Sequence, residues 1–340
     1  MNANNLLSII TPESLFSKPD ISIIKKEYHN LVKVWHPDKN PDKLANEVFQ
    51  HIGTLYHQAL HKVETGIWVL PSIYEFISLE GKKYRLHYKK QHSFELGEMY
   101  IGDTNILFAI PKANHIFFEN AHNTISKFKF ANDTMKKEMT RWLPNIKYIL
   151  PSHQYDYMLI GKGQDVVLLK DLFEFFKRKS PPPEHVAWIM SSLLNICCYL
   201  DYAKLSHNCI SLDTVFISPR GHSAYLYGGW WWSKRVGTKI TQVPARTASL
   251  MSSQQKNNKI ATQSLDLDMV RAVGRELFRD LSGAGLYQRK EIPKPVSNWM
   301  TSTTSGVAVE DYRNWRKVME KSWGKPKFHD MKVKVEDIYA

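Results

Sequence analysis

Between Ile21 and Trp35 the apolar residues Ile24, Tyr28, Leu31 and Trp35 recur every three or four positions, the spacing of one helix face. Lys26, His29 and Lys33, with Lys25 beside them, fall on the other side, and Asp20 stands where an N-cap is expected. Pro37 disfavours helix at the residue before it, so this segment must stop near Trp35. A second helical pattern follows in Phe49, Ile52, Tyr56, Ala59 and Val63. The two periods predict antiparallel helices joined by a loop that holds His36, Pro37 and Asp38, an αα-hairpin. A second triplet, Asn40-Pro41-Asp42, follows the first at once.

The period changes after residue 65. "YRLHY", "EMYIGD", "NILFAI" and "HIFF", within residues 84–118, are alternating, aromatic and β-branched, and read as antiparallel strands. "FANDTMKKEMTRWL" then reads as a helix and "NIKYILPSHQYDYMLIG" as two more strands. Beyond Val166 the pattern is helical: "LLKDLFEFFKRK", then a longer helix over "PPPEHVAWIMSSLLNICCYLDYAK", opened by prolines. Ile189, Leu193, Ile196, Cys197 and Leu200 mark the buried face of that second helix. The whole reads as an α+β chain: a helical hairpin over 1–65, a connector over 66–80, a sheet-rich region over 81–161 and a helical region over 162–340. The connector is apolar enough to pack rather than dangle.

Composition adds bounds. At 340 residues, 43% hydrophobic and 23% charged, the chain has material for a sizeable core. No apolar run is expected to reach the roughly 20 residues of a membrane helix, and "MNANNLLSII" lacks the pattern of a secretory signal. Three cysteines, Cys197, Cys198 and Cys209, with no CxxC spacing, argue against a disulfide frame or zinc site and for a reducing, cytoplasmic setting. No metal or cofactor ligand set is read. Net charge is +13, yet residues 1–65 hold seven basic and seven acidic side chains, so the surplus follows residue 65. Such an excess attracts acidic protein, phosphate groups or nucleic acid. The lysines are scattered without a nucleic-acid motif, which makes nucleic acid the lesser reading.

"KKEYHNLVKVWHPDKNPD" followed by "ANEVFQHIGTLYHQAL" resembles the J domain of DnaJ-type co-chaperones, with "NLLSIITPESLF" as a variant or shortened first helix. A lone Pro-Asp turn or a lysine-rich face would be ordinary; the match lies in their combination with the loop length and the next helix. The resemblance implies that His36, Pro37 and Asp38, beside a basic face of Lys25, Lys26 and Lys33, engage a DnaK-type chaperone and stimulate its ATP hydrolysis. Neither a Gly/Phe-rich linker nor a CxxCxGxG zinc module follows, which resembles J proteins whose remaining domain chooses the client or location.

That remaining part resembles a protein kinase, a β-rich N-lobe followed by an α-helical C-lobe. The matching pieces are "LGEMYIGDTNILFAIPK", "LSHNCISLDTVFISPRGHSAYLYGGWW", "PARTASL" and "LDLDMVRAVGRELFRDLSG", the last with an acid-to-glycine spacing one residue too long. Phosphoryl transfer needs a strand lysine, a catalytic-loop Asp, an Asn and a metal-binding Asp. The aligned positions hold Pro111, Cys209, Thr214 and Tyr227, and one glycine, Gly97, remains of the phosphate-covering loop. Lys112 comes one residue late, which on a strand means the opposite face. The resemblance therefore implies a pseudokinase, a non-enzymatic adaptor for an unknown client. An atypical active kinase and a basic nucleic-acid-binding adaptor are the alternatives. A Cys209–His207 thiol pair is a further idea, but His207 matches a structural histidine of that loop; Asp213 matches neither catalytic carboxylate.

Trp230, Trp231 and Trp232 close the list. Three consecutive rings cannot all face inward on a strand or a helix, so at least one is expected to be exposed or to cover a groove. Packing between lobes, filling of a vacant cleft and anchoring of a client all stay open.

Overall fold

The computed structural model describes residues 2–7, 9, 11–66, 68, 72–325 and 327–339. Two short helices, α1 (Ala3–Leu7) and α2 (Pro12–Leu15), precede the expected pair, α3 (Ile21–Trp35) and α4 (Ala45–Glu64). Asp20 does cap α3: its Oδ1 accepts the backbone N–H groups of Ser22 and Ile23 at 2.8 and 3.0 Å. Ile24 and Trp35 are buried, with Tyr28 and Leu31 packed beside them. On α4 the buried line is Val48, Ile52, Leu55 and Ala59, while Phe49, Tyr56 and Val63 flank it. The face is turned from the expected one because α4 is covered from two sides. Trp35 and Ile24 of α3 meet it on one, and Leu6 of α1 and Phe16 beyond α2 on the other. A 2.6 Å ion pair from Lys62 to the buried Glu13 ties α4 to α2.

Part of the expected connector, Ile67, Val69, Leu70 and Pro71, lies outside the described residues. From Ser72 onward the connector gives way to a strand. β1 (Ser72–Ile77) pairs antiparallel with β2 (Lys83–Tyr88), so the expected boundary at residue 80 falls inside a hairpin turn. The physical reason is alternation: Tyr74 and Phe76 join Tyr84, Leu86 and Tyr88 on one face, which needs a sheet to cover.

That sheet is five-stranded and antiparallel: β3 (Lys90–Phe94), β4 (Gly97–Ile101), β5 (Asn105–Pro111), β6 (Ile146–Pro151) and β7 (Tyr155–Gly161), in the order β3-β4-β5-β7-β6. Its outer row, Tyr100, Leu107, Ala109 and Tyr157, lies under the β1–β2 hairpin. Its inner row, including Met99, Ile106, Phe108, Ile110 and Met158, joins the main core. β3 and β4 are joined by Glu95 and Leu96 alone, and Leu96 is buried. A Cβ on Gly97 would come within 2.1 Å of the Ala109 carbonyl oxygen, so this glycine serves close strand approach.

"HIFF" is not a strand. It opens α5 (His115–Ser126), whose buried residues Phe118, Ala121 and Ile125 show a spacing that four residues are too few to reveal. α6 (Asp133–Met139) follows, capped by Asn132.

The chain then continues through β8 (Val167–Leu168), α7 (Leu169–Phe175), α8 (Pro183–Ala203), β9 (Leu205–Ser206), β10 (Val215–Ser218), β11 (Ser223–Leu226) and β12 (Lys234–Arg235). It ends in α9 (Ala245–Leu250), α10 (Ser253–Asn258), α11 (Gln263–Leu277), α12 (Lys294–Thr301), α13 (Ala308–Trp323) and α14 (Val335–Ile338). The axis is α8, packed by α11, α13 and β11. Its expected face is buried, Val186 and Met190 continue it, and Leu194 and Tyr199 are buried on other sides. Against expectation, this 21-residue helix is long and apolar enough, by length and composition alone, to cross a membrane; 56% of its apolar window is buried inside the protein.

Lys162 follows β7 at the passage between sheet and helices. Its ammonium donates to the carbonyls of Asp103, Gly163 and Val166 at 2.8, 3.2 and 3.0 Å. Burial, helped by Lys89 and opposed by Asp103 and Asp165, pushes its pKa down to about 7. Between that value and the ordinary lysine range the unfolded chain binds the extra proton, so stability rises with pH. From pH 7 to 8.5 Lys162 is expected to add about 1–2 kcal/mol. Urea unfolding of wild type and Lys162→Met across that window measures it as a slope that the variant lacks.

Candidate functional site

At the tip of the α3–α4 hairpin, Pro37 ends the helix and His36 adopts an extended backbone (φ −65°, ψ 126°). The backbone N–H groups of Lys39 and Asn40 both return to the His36 carbonyl at 2.9 Å, closing a tight turn. His36 Nδ1 accepts the Asp38 N–H at 3.2 Å, which leaves Nε2 to carry the ring proton. The ring meets Phe49 of α4 edge-on, with centroids 5.4 Å apart. The Asp38 side chain is 84% exposed, with one carboxylate oxygen 3.7 Å from His36 Nδ1. A carboxylate is thus presented to solvent from a turn whose conformation is fixed beneath it.

The second triplet explains itself here. Asn40 Nδ2 donates to the Val34 carbonyl at 2.9 Å, satisfying an orphan acceptor at the end of α3. Asn40 Oδ1 accepts the Asp42 N–H, and Asp42 Oδ1 accepts the Leu44 N–H just before α4. The sequence marks this echo of the first triplet without revealing that it braces the loop from both helices. The helical period of α4 marks Phe49 only as a core residue, whereas its ring also supports His36. Lys25, Lys26 and Lys33 are all exposed on α3, within about 100° of arc at 100° per residue and away from the buried face.

A family model, that of the DnaJ domain, matches residues 17–63. This segment is a J domain. No curated protein matches the chain. A J domain implies co-chaperone activity with an Hsp70, the DnaK-type partner. The geometry of its loop fits that role, since the exposed Asp38 and the lysines of α3 are unencumbered by tertiary packing.

C-terminal to the J domain, a cavity of about 380 Å³ lies between the sheet and the loops that follow α8 and β11. Trp230–Trp232 form one turn of 3₁₀ helix; all three rings are buried, and of the two expected outcomes, exposure or the covering of a groove, it is the second that Trp231 meets by lining the cavity. A 3₁₀ turn steps about 120° per residue, so the rings leave in three directions. Each direction meets a different body. Trp230 packs on Phe128 and edge-on to His207; Trp231 stacks on Phe94 at 4.7 Å and meets Phe108 edge-on at 5.1 Å; Trp232 packs on Phe117 of α5. Asn120 of α5 holds the turn by donating to the Trp231 and Ser233 carbonyls at 3.0 and 2.9 Å.

Pro111 is not on the cavity side. The β5 register sets it on the outward row with Leu107 and Ala109, while the inward row runs Ile106, Phe108, Ile110. An uncharged Ile110 therefore stands at the inward end of the strand. Lys112, beyond it, is bound to the buried Asp156 at 2.6 Å, an acid it shares with His115.

Cys209 lines the cavity, and burial pushes its thiol well above the usual range. His207 does not activate it: Nε2 donates to the Gly228 carbonyl at 3.0 Å, Nδ1 has no partner among the described residues, and burial pushes the ring down to about 3. Thr214 Oγ1 donates to the Cys209 carbonyl at 2.7 Å and accepts the Ser211 N–H, closing the loop on itself. Tyr227 packs on Phe216 and Tyr225, and burial raises its phenol. Asp213 lines the cavity but is paired with Lys170 at 2.8 Å.

The residue holding this loop is Asp266 of α11. Its two carboxylate oxygens accept the His207 and Asn208 N–H groups, each at 2.8 Å. Burial pushes it up to about 7 against those hydrogen bonds. Asp268, the acid six positions before Gly274, instead accepts the Gln255 side-chain amide at 3.2 Å. Across the cavity mouth, His92 of β3 reaches the buried Asp171 of α7 at 2.9 Å, joining sheet to helices.

Proposed function

We propose that the protein is a J-domain co-chaperone whose remaining chain is a catalytically inactive, kinase-like adaptor for a client or partner. The sheet order, α5 between β5 and β6, and a loop anchored by Asp266 ahead of a Tyr-Gly-Gly turn support the kinase-like part. The observation that carries the inactive reading is Trp231, stacked between sheet and loop where a nucleotide would have to lie.

The neighbouring positions agree. A magnesium triphosphate needs anionic ligands and a cation for its phosphates. Cys209 and Tyr227 are held neutral by burial, Ile110 replaces a charged strand residue, and Lys112 is already paired. The two-residue β3–β4 turn leaves no glycine-rich cover. These residues do not fit the group, and an uncompensated charge here would be costly.

The expected result is no magnesium-dependent thermal shift with ATP and no label transfer. A magnesium-dependent shift, with transfer lost in Lys112→Ala or Asp213→Ala, would establish the atypical kinase instead. A cytoplasmic setting fits three free thiols, Cys197, Cys198 and Cys209.

A further inference from the structure

A second, larger groove of about 980 Å³ lies between α8, α13 and the residues Gly324, Lys325, Lys327 and His329, apart from the cavity beneath the sheet. Its floor is apolar, built from Ala187 and Trp188 of α8 and Met319 and Trp323 of α13. Its rim carries Arg313, Arg316 and Lys317 of α13, with Lys325 and Lys327 beyond that helix. The three on α13 are spaced by three and four and share one stripe. All five are exposed, and none forms an ion pair with a described residue. Two carboxylates line the same groove, and one of them, Glu184, is engaged by the Trp323 indole N–H at 3.2 Å.

Unpaired cations around an apolar floor select an anionic ligand with an apolar element. The mixed floor, two indoles beside the Met319 thioether and the Ala187 methyl, suits the varied side chains of a peptide better than a run of stacked bases. Single-stranded nucleic acid binds by stacking bases on free aromatic faces. Here Trp188 lies parallel to His222 at 5.0 Å, and the His222 ring is also stacked on Phe328 at 4.1 Å. Both faces of His222 and one of Trp188 are thus consumed within the protein. What remains is the second face of Trp188, the Trp323 ring, the Met319 thioether and the methylene stems of the cations. Those surfaces take up aliphatic or aromatic side chains, as in grooves that receive an amphipathic segment.

The geometry points to a docking groove for a carboxylate-rich peptide segment with an apolar anchor residue. The floor receives the anchor and the rim pairs with flanking Asp and Glu. This names the surface by which the proposed adaptor takes its partner, and it rests on that reading for its purpose. The binding itself needs neither chaperone nor nucleotide.

The test is fluorescence anisotropy on the full chain with a fluorescein-labelled 12-residue peptide of Glu interspersed with Leu and Phe. Matched probes replace Glu by Lys, replace the apolar residues by Ser, or are a labelled oligothymidylate. The acidic-apolar peptide is expected to bind best and to weaken with salt. Arg316→Glu with Lys317→Glu, both on exposed positions, is expected to lower its affinity by about tenfold or more while the circular dichroism spectrum is retained. An absence of binding, an unchanged affinity in that variant, or tighter binding of the oligonucleotide would overturn the proposal. Any of these leaves chaperone stimulation by the J domain intact, so the two readings fail separately.

Discussion

His36→Gln is expected to reduce stimulation of a DnaK-type ATPase to the rate of the chaperone alone, with the J domain still folded. The reason is local. His36 accepts the Asp38 N–H, packs on Phe49 and gives its carbonyl to two N–H groups of the turn. Gln keeps the backbone carbonyl and loses the rigid ring, so the Asp38 carboxylate is no longer held at one orientation. The side chain of His36 is 39% exposed, so the stability cost is expected to stay within about 1 kcal/mol. Single-turnover ATP hydrolysis by the host chaperone, with circular dichroism as the folding control, reads the result. Equal stimulation by wild type and variant would refute the role of the loop. The lysines of α3 act over a longer range: their pull on an acidic partner fades within a Debye length of about 8–10 Å, so stimulation by wild type is also expected to fall as salt is raised.

Asp266→Ala is expected to be the most damaging single change in the region after the J domain. Two buried N–H groups, those of His207 and Asn208, lose their acceptors. At about 1–3 kcal/mol for each unsatisfied donor the cost is about 2–6 kcal/mol. For a unit of this size that corresponds to a fall in melting temperature of about 5–15 °C. Asp266→Asn keeps one carbonyl oxygen and is expected to lose about half as much. Differential scanning calorimetry of the three proteins measures both steps. An alanine variant that melts with wild type would show that the loop after β9 does not depend on this carboxylate. Asp266 also explains how this loop keeps its shape: a single carboxylate holds its backbone from α11, which leaves the side chain of Cys209 to line the cavity.

The parts legible in the sequence are those fixed by neighbours along the chain. Asp20 capping α3, Pro37 ending it, and the three- and four-residue spacing of Ile24, Tyr28, Leu31 and Trp35 all act within a few residues, so a linear reading reaches them. The same holds for the J-domain loop, whose turn is closed by hydrogen bonds between residues 34 and 44. Short or two-sided segments escaped it. "HIFF" is too brief to show a helical period, the 66–80 stretch hides a strand whose aromatic face needs a distant sheet, and the inward row of β5 depends on which side the helices cover.

Sequence alone therefore determined the chaperone-facing N-terminal region, residues 1–65 of 340, because local backbone chemistry builds a helical hairpin and its loop. Tertiary structure alone decided the rest of the site. It buried three adjacent tryptophans by surrounding a 3₁₀ turn from three sides, set Ile110 rather than Pro111 toward the cavity, and chose Asp266 to hold the loop. It also gathered the cations of α13 and the segment after it around one apolar floor. Each of these depends on contacts between residues tens to more than a hundred positions apart, and no spacing along the chain records them.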